Sequence, residues 1–104
     1  MPKILVVDND EGLVHFLTRL LIKQGYEVTS CTDGTAALDR LGQDSFDVIL
    51  MDYKMPGLNG LDTLAEIKRS QVRTPVIIMT AFGTTETAIE AMKLGAYDYV
   101  LKPF

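Results

Sequence analysis

Short, continuous runs of apolar residues recur along this chain, and such runs are typical of strands that are buried on both faces. Three of them occupy residues 4–7, 48–51 and 76–79, and a polar residue follows each one. A more polar, alternating segment at 26–31 predicts a less buried strand, and residues 99–101 predict a fifth. The chain is therefore expected to contain a sheet of five strands.

Helical periodicity occupies the segments between these strands. After the first strand, apolar residues recur at the spacing of one helical face, namely at Leu13, Phe16, Leu17, Leu20 and Leu21. Helices are also predicted at 33–41, 61–69 and 84–94, and Gly25 and Gly95 mark the ends of the first and last helices. The expected inward side of the helix at 61–69 consists of Leu61, Leu64, Ala65 and Lys68. Five strands that alternate with four helices predict a doubly wound α/β fold, with helices on both faces of a parallel sheet.

Composition and charge narrow the class of protein. The chain has 104 residues, which fits one domain, and its formal net charge is −4 with no basic run. Direct contact with nucleic acid is therefore not expected of this segment. No apolar run is long enough to span a membrane, and the N-terminus lacks the apolar region of a signal peptide. The single cysteine, Cys31, fits a reducing compartment, so we expect a cytoplasmic protein in which Cys31 is a small core residue.

Polar side chains at the ends of the strands carry the candidate chemistry. The residues that directly follow predicted strands are Asp8, Asp52, Thr80 and Lys102. Because the carboxyl ends of parallel strands lie along one edge of the sheet, these side chains are expected to converge in a shallow pocket. Two carboxylates about 4 Å apart repel each other by roughly 1–4 kcal/mol, so the pocket requires cations. Lys102 supplies one, and Mg²⁺, which prefers oxygen ligands, would supply another.

The pocket predicts phosphoryl chemistry. A carboxylate beside Mg²⁺ can act as a nucleophile toward phosphorus, and Lys102 and Thr80 would hold the incoming group. The loop at 52–60 is rich in turn residues, so a backbone carbonyl there can face the metal. Pro103 biases Lys102 toward extended geometry, and the bond between them is open to the cis form. A simpler interpretation of Asp8 and Asp10, that they cap the following helix, also remains open.

Four segments of the sequence together resemble the receiver domain of bacterial two-component response regulators. They are ILVVDND, DVILMDYKMPGLNGL, PVIIMTAFG and GAYDYVLKPF, and they occur in the order and at the spacing of that family. The resemblance covers residues 1–104 as one receiver domain and implies a flavodoxin-like fold. It implies phosphorelay signalling, in which Asp52 accepts a phosphoryl group from a phosphohistidine on a sensor histidine kinase.

The resemblance also assigns roles to the residues around Asp52. The implied Mg²⁺ ligands are Asp8, Asn9, Asp52 and the backbone carbonyl of Lys54. The implied phosphoryl-binding and switch residues are Thr80, Ala81, Lys102 and Tyr99. Asp10 belongs to the helix start and is a candidate for the outer shell of the metal. On phosphorylation Thr80 would be drawn toward the phosphoryl oxygens and Tyr99 would move inward.

The resemblance further implies partners and an output. The phosphorylated state would be recognised by an output domain or a partner through the surface of the fourth helix and fifth strand. The stretch from residue 84 to 104 is most similar to receivers of nitrogen-regulation-type activators, which implies regulation of transcription. We do not expect an enzyme with an external substrate, because the phosphoryl chemistry would act on the chain itself.

The sequence departs from the family pattern at two places. Asn9 replaces the second acid of the metal-binding pair, so weaker Mg²⁺ binding is expected. The family's fifth helix should follow the fifth strand, but the chain ends at Phe104, which indicates a receiver truncated after that strand with no output domain. Apolar surface beside the first and fifth strands would then be uncovered, and dimerisation, domain swapping or marginal stability is expected.

Two other functions are compatible with parts of the pattern. The segment VVDNDEGL is similar to the opening of haloacid-dehalogenase-like phosphatases, in which Asp8 would be the nucleophile and Asp10 the acid. That class requires a further acidic pair after its lysine, and only two residues follow Lys102. The second alternative is a receiver-like interaction module that is not phosphorylated, which Asn9 favours.

Overall fold

A five-stranded parallel sheet forms the centre of the molecule. The computed structural model describes residues 1–55, 57–81 and 84–102. The strands are β1 (Lys3–Val7), β2 (Glu27–Cys31), β3 (Val48–Asp52), β4 (Val76–Thr80) and β5 (Asp98–Leu101). The helices are α1 (Glu11–Lys23), α2 (Gly34–Gln43), α3 (Gly60–Arg69) and α4 (Thr85–Lys93). The strand order is β2-β1-β3-β4-β5 and each neighbouring pair is parallel, which confirms the predicted doubly wound fold.

Alternate residues of the central strands enter two apolar clusters, one on each face of the sheet. In β1, Leu5 and Val7 belong to the larger cluster, which α2, α3 and Ala91 of α4 cover. Ile4 and Val6 belong to the smaller cluster, which α1 covers. Because successive side chains of a strand point to opposite faces, burial on both faces requires an apolar residue at every position. This explains why β1, β3 and β4 could be recognised as continuous apolar runs.

Capping residues set the ends of the helices within two residues of the predicted bounds. Each helix begins after a side chain that accepts a hydrogen bond from a backbone N–H three residues on: Asp10, Asp33, Asn59 and Thr84. As predicted, α1 and α4 are followed by glycines with positive φ, 95° at Gly25 and 99° at Gly95. No helix in the described part of the chain is both long and apolar enough to cross a membrane.

Two of the five residues predicted for the buried face of α1 are wrong. The side chains that pack against the sheet are Leu13, Val14, Leu17 and Leu21. Phe16 and Leu20, which were expected to point inward, are 53% and 44% exposed. Of the helices in the described ranges, α1 alone packs on this face of the sheet. No second described helix therefore covers the side of α1 that carries Phe16 and Leu20. The fifth helix of the family likewise has no counterpart within the described ranges.

The buried side of α3 also differs from the prediction. Its inner residues are Leu61, Thr63, Leu64 and Ile67, whereas Ala65 and Lys68 are only half-buried. The cause is a second neighbour, because α3 packs against α2 as well as against the sheet. The contact is close: a Cβ added at Gly34 of α2 would lie 2.1 Å from Oγ1 of Thr63. Because α3 packs against both the sheet and α2, the residues that face α2 are buried as well.

Candidate functional site

The polar residues that follow the central strands meet at the carboxyl edge of the sheet. Asp8 follows β1, Asp52 and Thr80 end β3 and β4, and Lys102 follows β5. The chain winds from β1 to β2 on one side and through β3, β4 and β5 on the other, so the β1–β3 boundary is the switch point of the sheet. Ligands bind at such switch points in open α/β sheets. The predicted convergence of these residues is therefore present in the fold.

Lys102 joins two aspartates that are remote in sequence. Its Nζ donates a hydrogen bond to Oδ2 of Asp8 at 2.6 Å and lies 3.0 Å from Oδ1 of Asp52. The carboxylate of Asp8 is fully buried, and that of Asp52 nearly so. The backbone N–H of Lys102 donates to the carbonyl oxygen of Thr80 at 2.7 Å, which extends the β4–β5 pairing by one residue and holds Lys102 at the edge.

The residues after Asp8 have separate roles. The second oxygen of Asp8 accepts the backbone N–H of Asp10 at 2.9 Å. Asp10 is the N-cap of α1 and accepts the N–H of Leu13 at 3.1 Å, so its predicted place at the helix start is confirmed. Asp8 does not cap the helix. The side chain of Asn9 is exposed at the rim of the pocket.

Burial and charge shift the pKa values of the central groups. Burial raises the pKa of the Asp52 carboxyl and the charge of Asp8 adds to this, although hydrogen bonds from Lys102 and from the backbone of Lys54 act in the opposite direction. Burial alone would lower the pKa of Lys102, but its hydrogen bonds to Asp8 and Asp52 outweigh burial and raise it. Lys102 is therefore charged at neutral pH. With both aspartates ionised, the three groups carry a net charge of about −1.

The loop after Asp52 folds back against the backbone at the end of β3. The N–H of Gly60 donates to the carbonyl oxygen of Tyr53 at 2.8 Å, and a Cβ at Gly60 would lie 2.3 Å from the carbonyl oxygen of Asp52. Only glycine fits at this position without displacing the backbone of the site. The sequence marked Gly60 as a turn residue, but it did not reveal this contact. Pro56, part of the same predicted turn, lies outside the described residues.

The remaining predicted site residues surround this centre. Thr80 is buried, Ala81 is exposed beside it, and Tyr99 of β5 is half-buried. Lys54 directs its backbone N–H at the Asp52 carboxylate, whereas the predicted role of its carbonyl as a metal ligand stays a prediction. Sequence reasoning missed Thr87 of α4, whose Oγ1 lies 2.7 Å from Oη of Tyr99. The geometry predicted for the bond before Pro103 falls outside the described part of the chain.

The donor set of the pocket fits a hard divalent cation. The residues described contain no group of three or more His, Cys, Asp or Glu side chains that could hold a metal. Asp8 and Asp52 nevertheless form a carboxylate pair whose charge Lys102 only half neutralises. Mg²⁺ is commonly held by one or two carboxylates together with waters and phosphate oxygens. Two carboxylates in a net negative pocket, with the amide of Asn9 exposed beside them, are thus compatible with Mg²⁺.

Comparison with known proteins assigns the chain to a family. The model of the response regulator receiver domain matches residues 4–104. The chain belongs to the response regulator receiver domain family. This confirms the resemblance drawn from the four sequence segments and places the protein in phosphorelay signalling. Every strand-end residue described above lies within the matched range.

Individual relatives agree with this assignment. The receiver is 44% identical over 100 residues to the transcriptional regulatory protein ZraR of Escherichia coli strain K12, covering 96% of this chain and 23% of ZraR. It thus spans less than a quarter of that relative. The receiver domain of Francisella response regulator 1452 matches with a TM-score of 0.95 at 38% identity, covering 100% of this chain and 86% of that one. The response regulator TrrA of Thermotoga maritima, in complex with Mg(2+)-BeF, matches with a TM-score of 0.89 at 30% identity, covering 100% and 89%.

Proposed function

We propose that this receiver domain accepts a phosphoryl group on Asp52 from a phosphohistidine of a sensor histidine kinase, with Mg²⁺ as the metal. The observation that carries the proposal is the position of Lys102, whose Nζ lies 2.6 Å from Oδ2 of Asp8 and 3.0 Å from Oδ1 of Asp52. A phosphoryl group on Asp52 would bring three acceptor oxygens within reach of this ammonium. Charge-assisted hydrogen bonds of that kind are roughly twice as strong as neutral ones.

The chemistry requires an ionised Asp52 and compensation of phosphoryl charge. A carboxylate oxygen of Asp52 forms a bond to phosphorus while the bond from phosphorus to the imidazole nitrogen breaks, and the nitrogen keeps the electron pair. Lys102 remains protonated and, together with the Thr80 hydroxyl, binds the phosphoryl oxygens. Mg²⁺ supplies further neutralisation of charge on the transferring group. Its proposed ligands are Asp8, Asn9, Asp52 and the carbonyl of Lys54, with weaker binding because Asn9 is uncharged.

The proposed output is a change in the α4–β5 surface that a partner or an attached output domain recognises. Thr80 would be drawn toward the phosphoryl group and Tyr99 would reorient, which is a shift of population between two states. ZraR, which carries a related receiver, is named a transcriptional regulatory protein, and this supports a role in transcriptional regulation. We place the protein in the cytoplasm and propose no external substrate.

Labelling with a small phosphodonor tests the proposal. The receiver is incubated with acetyl phosphate and Mg²⁺, and its intact mass is measured. We expect the gain of one phosphoryl unit in the wild type and in Asp39→Asn, an exposed aspartate of α2 that serves as the matched control. Asp52→Asn should gain none. A wild type that gains no mass, or an Asp52→Asn variant that still does, would refute the proposal.

The alternatives are weighed by the same experiment. Family membership removes the support for a haloacid-dehalogenase-like phosphatase, and both oxygens of Asp8, the nucleophile in that interpretation, are engaged by Lys102 and the Asp10 backbone. The unphosphorylated interaction module predicts an unlabelled wild type at any Mg²⁺ concentration. The exposed Asn9 is its sole motivation, since the carboxylate and ammonium groups needed for phosphoryl transfer are assembled.

A further inference from the structure

Hydroxyl groups tie Tyr99 to the first turn of α4. Oη of Tyr99 lies 2.7 Å from Oγ1 of Thr87. Oγ1 of Thr87 donates to the carbonyl oxygen of Thr84 at 3.0 Å and lies 2.8 Å from the Thr84 hydroxyl. Thr84 is the N-cap of α4, and its hydroxyl accepts the N–H of Thr87 at 3.2 Å. The contact with Tyr99 therefore involves the helix cap as well as one side chain.

One assignment of the hydroxyl protons satisfies every contact in this group. A threonine hydroxyl has one proton and two lone pairs, and a carbonyl oxygen can only accept. We assign the Thr87 proton to the Thr84 carbonyl oxygen, which can only accept, and Oγ1 of Thr87 then accepts from the phenol of Tyr99. The Thr84 hydroxyl can donate to the second lone pair of Thr87 while it accepts the backbone N–H. All these groups are then satisfied, and Thr87 is the acceptor that orients the phenol.

The same group of residues is connected to the phosphorylation site through a short piece of chain. Thr84 follows Thr80 by four residues, and Thr80 pairs with Leu101 in the sheet. A displacement of Thr80 toward a phosphoryl group on Asp52 therefore acts on β5, the strand that carries Tyr99. The helix itself is lightly anchored, because Ala91 is its buried residue while Ile89 and Met92 are each 49% exposed.

We propose that Thr87 is a positioning residue that holds Tyr99 against α4 while Asp52 is unphosphorylated. Nζ of Lys102 lies 3.0 Å from Oδ1 of Asp52 in the same arrangement in which Tyr99 contacts Thr87, and we assign the bond from Tyr99 to Thr87 to the state in which Lys102 contacts the Asp52 carboxylate directly. Reorientation of Tyr99 on phosphorylation requires this bond to break. The inference rests on the proposed function, and it identifies the side chain that opposes the switch.

Three variants test this role. Thr87→Val removes the acceptor but keeps the β-branched shape and nearly the same helix propensity. Thr87→Ser keeps the hydroxyl, and Tyr99→Phe removes the donor and identifies the Tyr99 signals. The first readout is the NMR spectrum of ¹³C-labelled tyrosine in the metal-free protein. The second is the initial rate of Asp52 labelling by acetyl phosphate with Mg²⁺.

We expect Thr87→Val to shift the Tyr99 ring signals and to raise the labelling rate on the order of fivefold, the factor that one neutral hydrogen bond contributes. Thr87→Ser should resemble the wild type in both readouts. Unmoved Tyr99 signals in Thr87→Val, or a labelling rate that is unchanged or lower, would overturn the inference while wild-type labelling leaves the proposed function standing. A wild type that is not labelled would overturn both.

Discussion

Replacement of Asp52 by asparagine is expected to stabilise the metal-free fold at neutral pH. The substitution keeps the shape of the side chain and an oxygen that can accept from Lys102, but it removes one negative charge. Lys102 then faces Asp8 alone, at 2.6 Å, and the pocket becomes neutral. The pocket with its net negative charge would thus be less stable than the neutral pocket of the variant.

The magnitude follows from the distances in the pocket. Oδ1 of Asp52 and Oδ2 of Asp8 lie 3.0 and 2.6 Å from the same Nζ, so they are at most about 5.6 Å apart and repel by at least about 3 kcal/mol at an effective dielectric constant of about 20. On that scale Lys102 attracts the Asp52 carboxylate by about 5–6 kcal/mol, while burial of the carboxylate costs about 4 kcal/mol. The charge of Asp52 is therefore unfavourable by about 1–2 kcal/mol. An unfavourable charge on Asp52 agrees with the raised pKa of its carboxyl group.

The pH dependence has a definite sign. Because the pKa of Asp52 is raised in the fold, the contribution of Asp52 to wild-type stability increases as the pH falls through that folded pKa, and the increase is complete below the ordinary value of 3.8. The asparagine variant has no such increase. The amount by which the free energy of unfolding of Asp52→Asn exceeds that of the wild type should be greatest at pH 7 and disappear on acidification. Urea titrations followed by circular dichroism, in EDTA and over a series of pH values, measure the difference.

Two outcomes would contradict this reasoning. One is an Asp52→Asn variant less stable than the wild type at pH 7 in EDTA, and the other is an advantage that grows in acid. Asp39→Asn, at an exposed position, should change stability by less than about 0.5 kcal/mol at any pH. Saturating Mg²⁺ should reverse the order, because the wild type gains the free energy of metal binding and the variant lacks a carboxylate ligand.

Three further positions test a close backbone contact, a strained backbone angle and the burial of a thiol. Gly60→Ala is expected to lower stability by about 2–3 kcal/mol and to slow Asp52 labelling, because the added Cβ would lie 2.3 Å from the Asp52 carbonyl oxygen; urea titration and intact mass measure the two effects. Gln71→Gly should raise stability by about 0.5 kcal/mol in thermal denaturation, because Gln71 has a φ of +63° and the relief of strain exceeds the entropy of glycine. Cys31 is buried and burial raises the pKa of its thiol, so a thiol reagent should modify it on the order of 100-fold more slowly in the native state than in urea.

Control variants show whether each effect depends on the contact or backbone angle described. Gly42 of α2 has no atom within 4 Å of an added Cβ, so Gly42→Ala should raise stability by up to about 1 kcal/mol. Equal effects of Gly42→Ala and Gly60→Ala would contradict the close approach at Asp52. Gln71→Ala keeps the Cβ and should not stabilise. Equal thiol reactivity of native and unfolded protein would show that Cys31 is accessible.

The strands and the reactive centre could be predicted because their determinants are local. Burial on both faces requires an uninterrupted apolar run, which is visible within five residues of β1 or β4. In a parallel sheet, the residues at the carboxyl ends of the strands must lie on one edge. The proximity of Asp8, Asp52 and Lys102 could therefore be predicted from the sequence. The capping role of Asp10 could be anticipated for the same reason, since a cap bonds within three residues.

The sequence by itself determined the strands, the helix ends and the polar residues that meet at the carboxyl edge of the sheet. The tertiary structure alone decided which side of α1 and α3 is buried, that Gly60 touches the backbone of Asp52, and that Thr87 receives the phenol of Tyr99. Periodicity shows that a helix has an apolar face, but the buried sector depends on the neighbours that pack against it. Those neighbours come from remote parts of the chain, and their arrangement is set by packing.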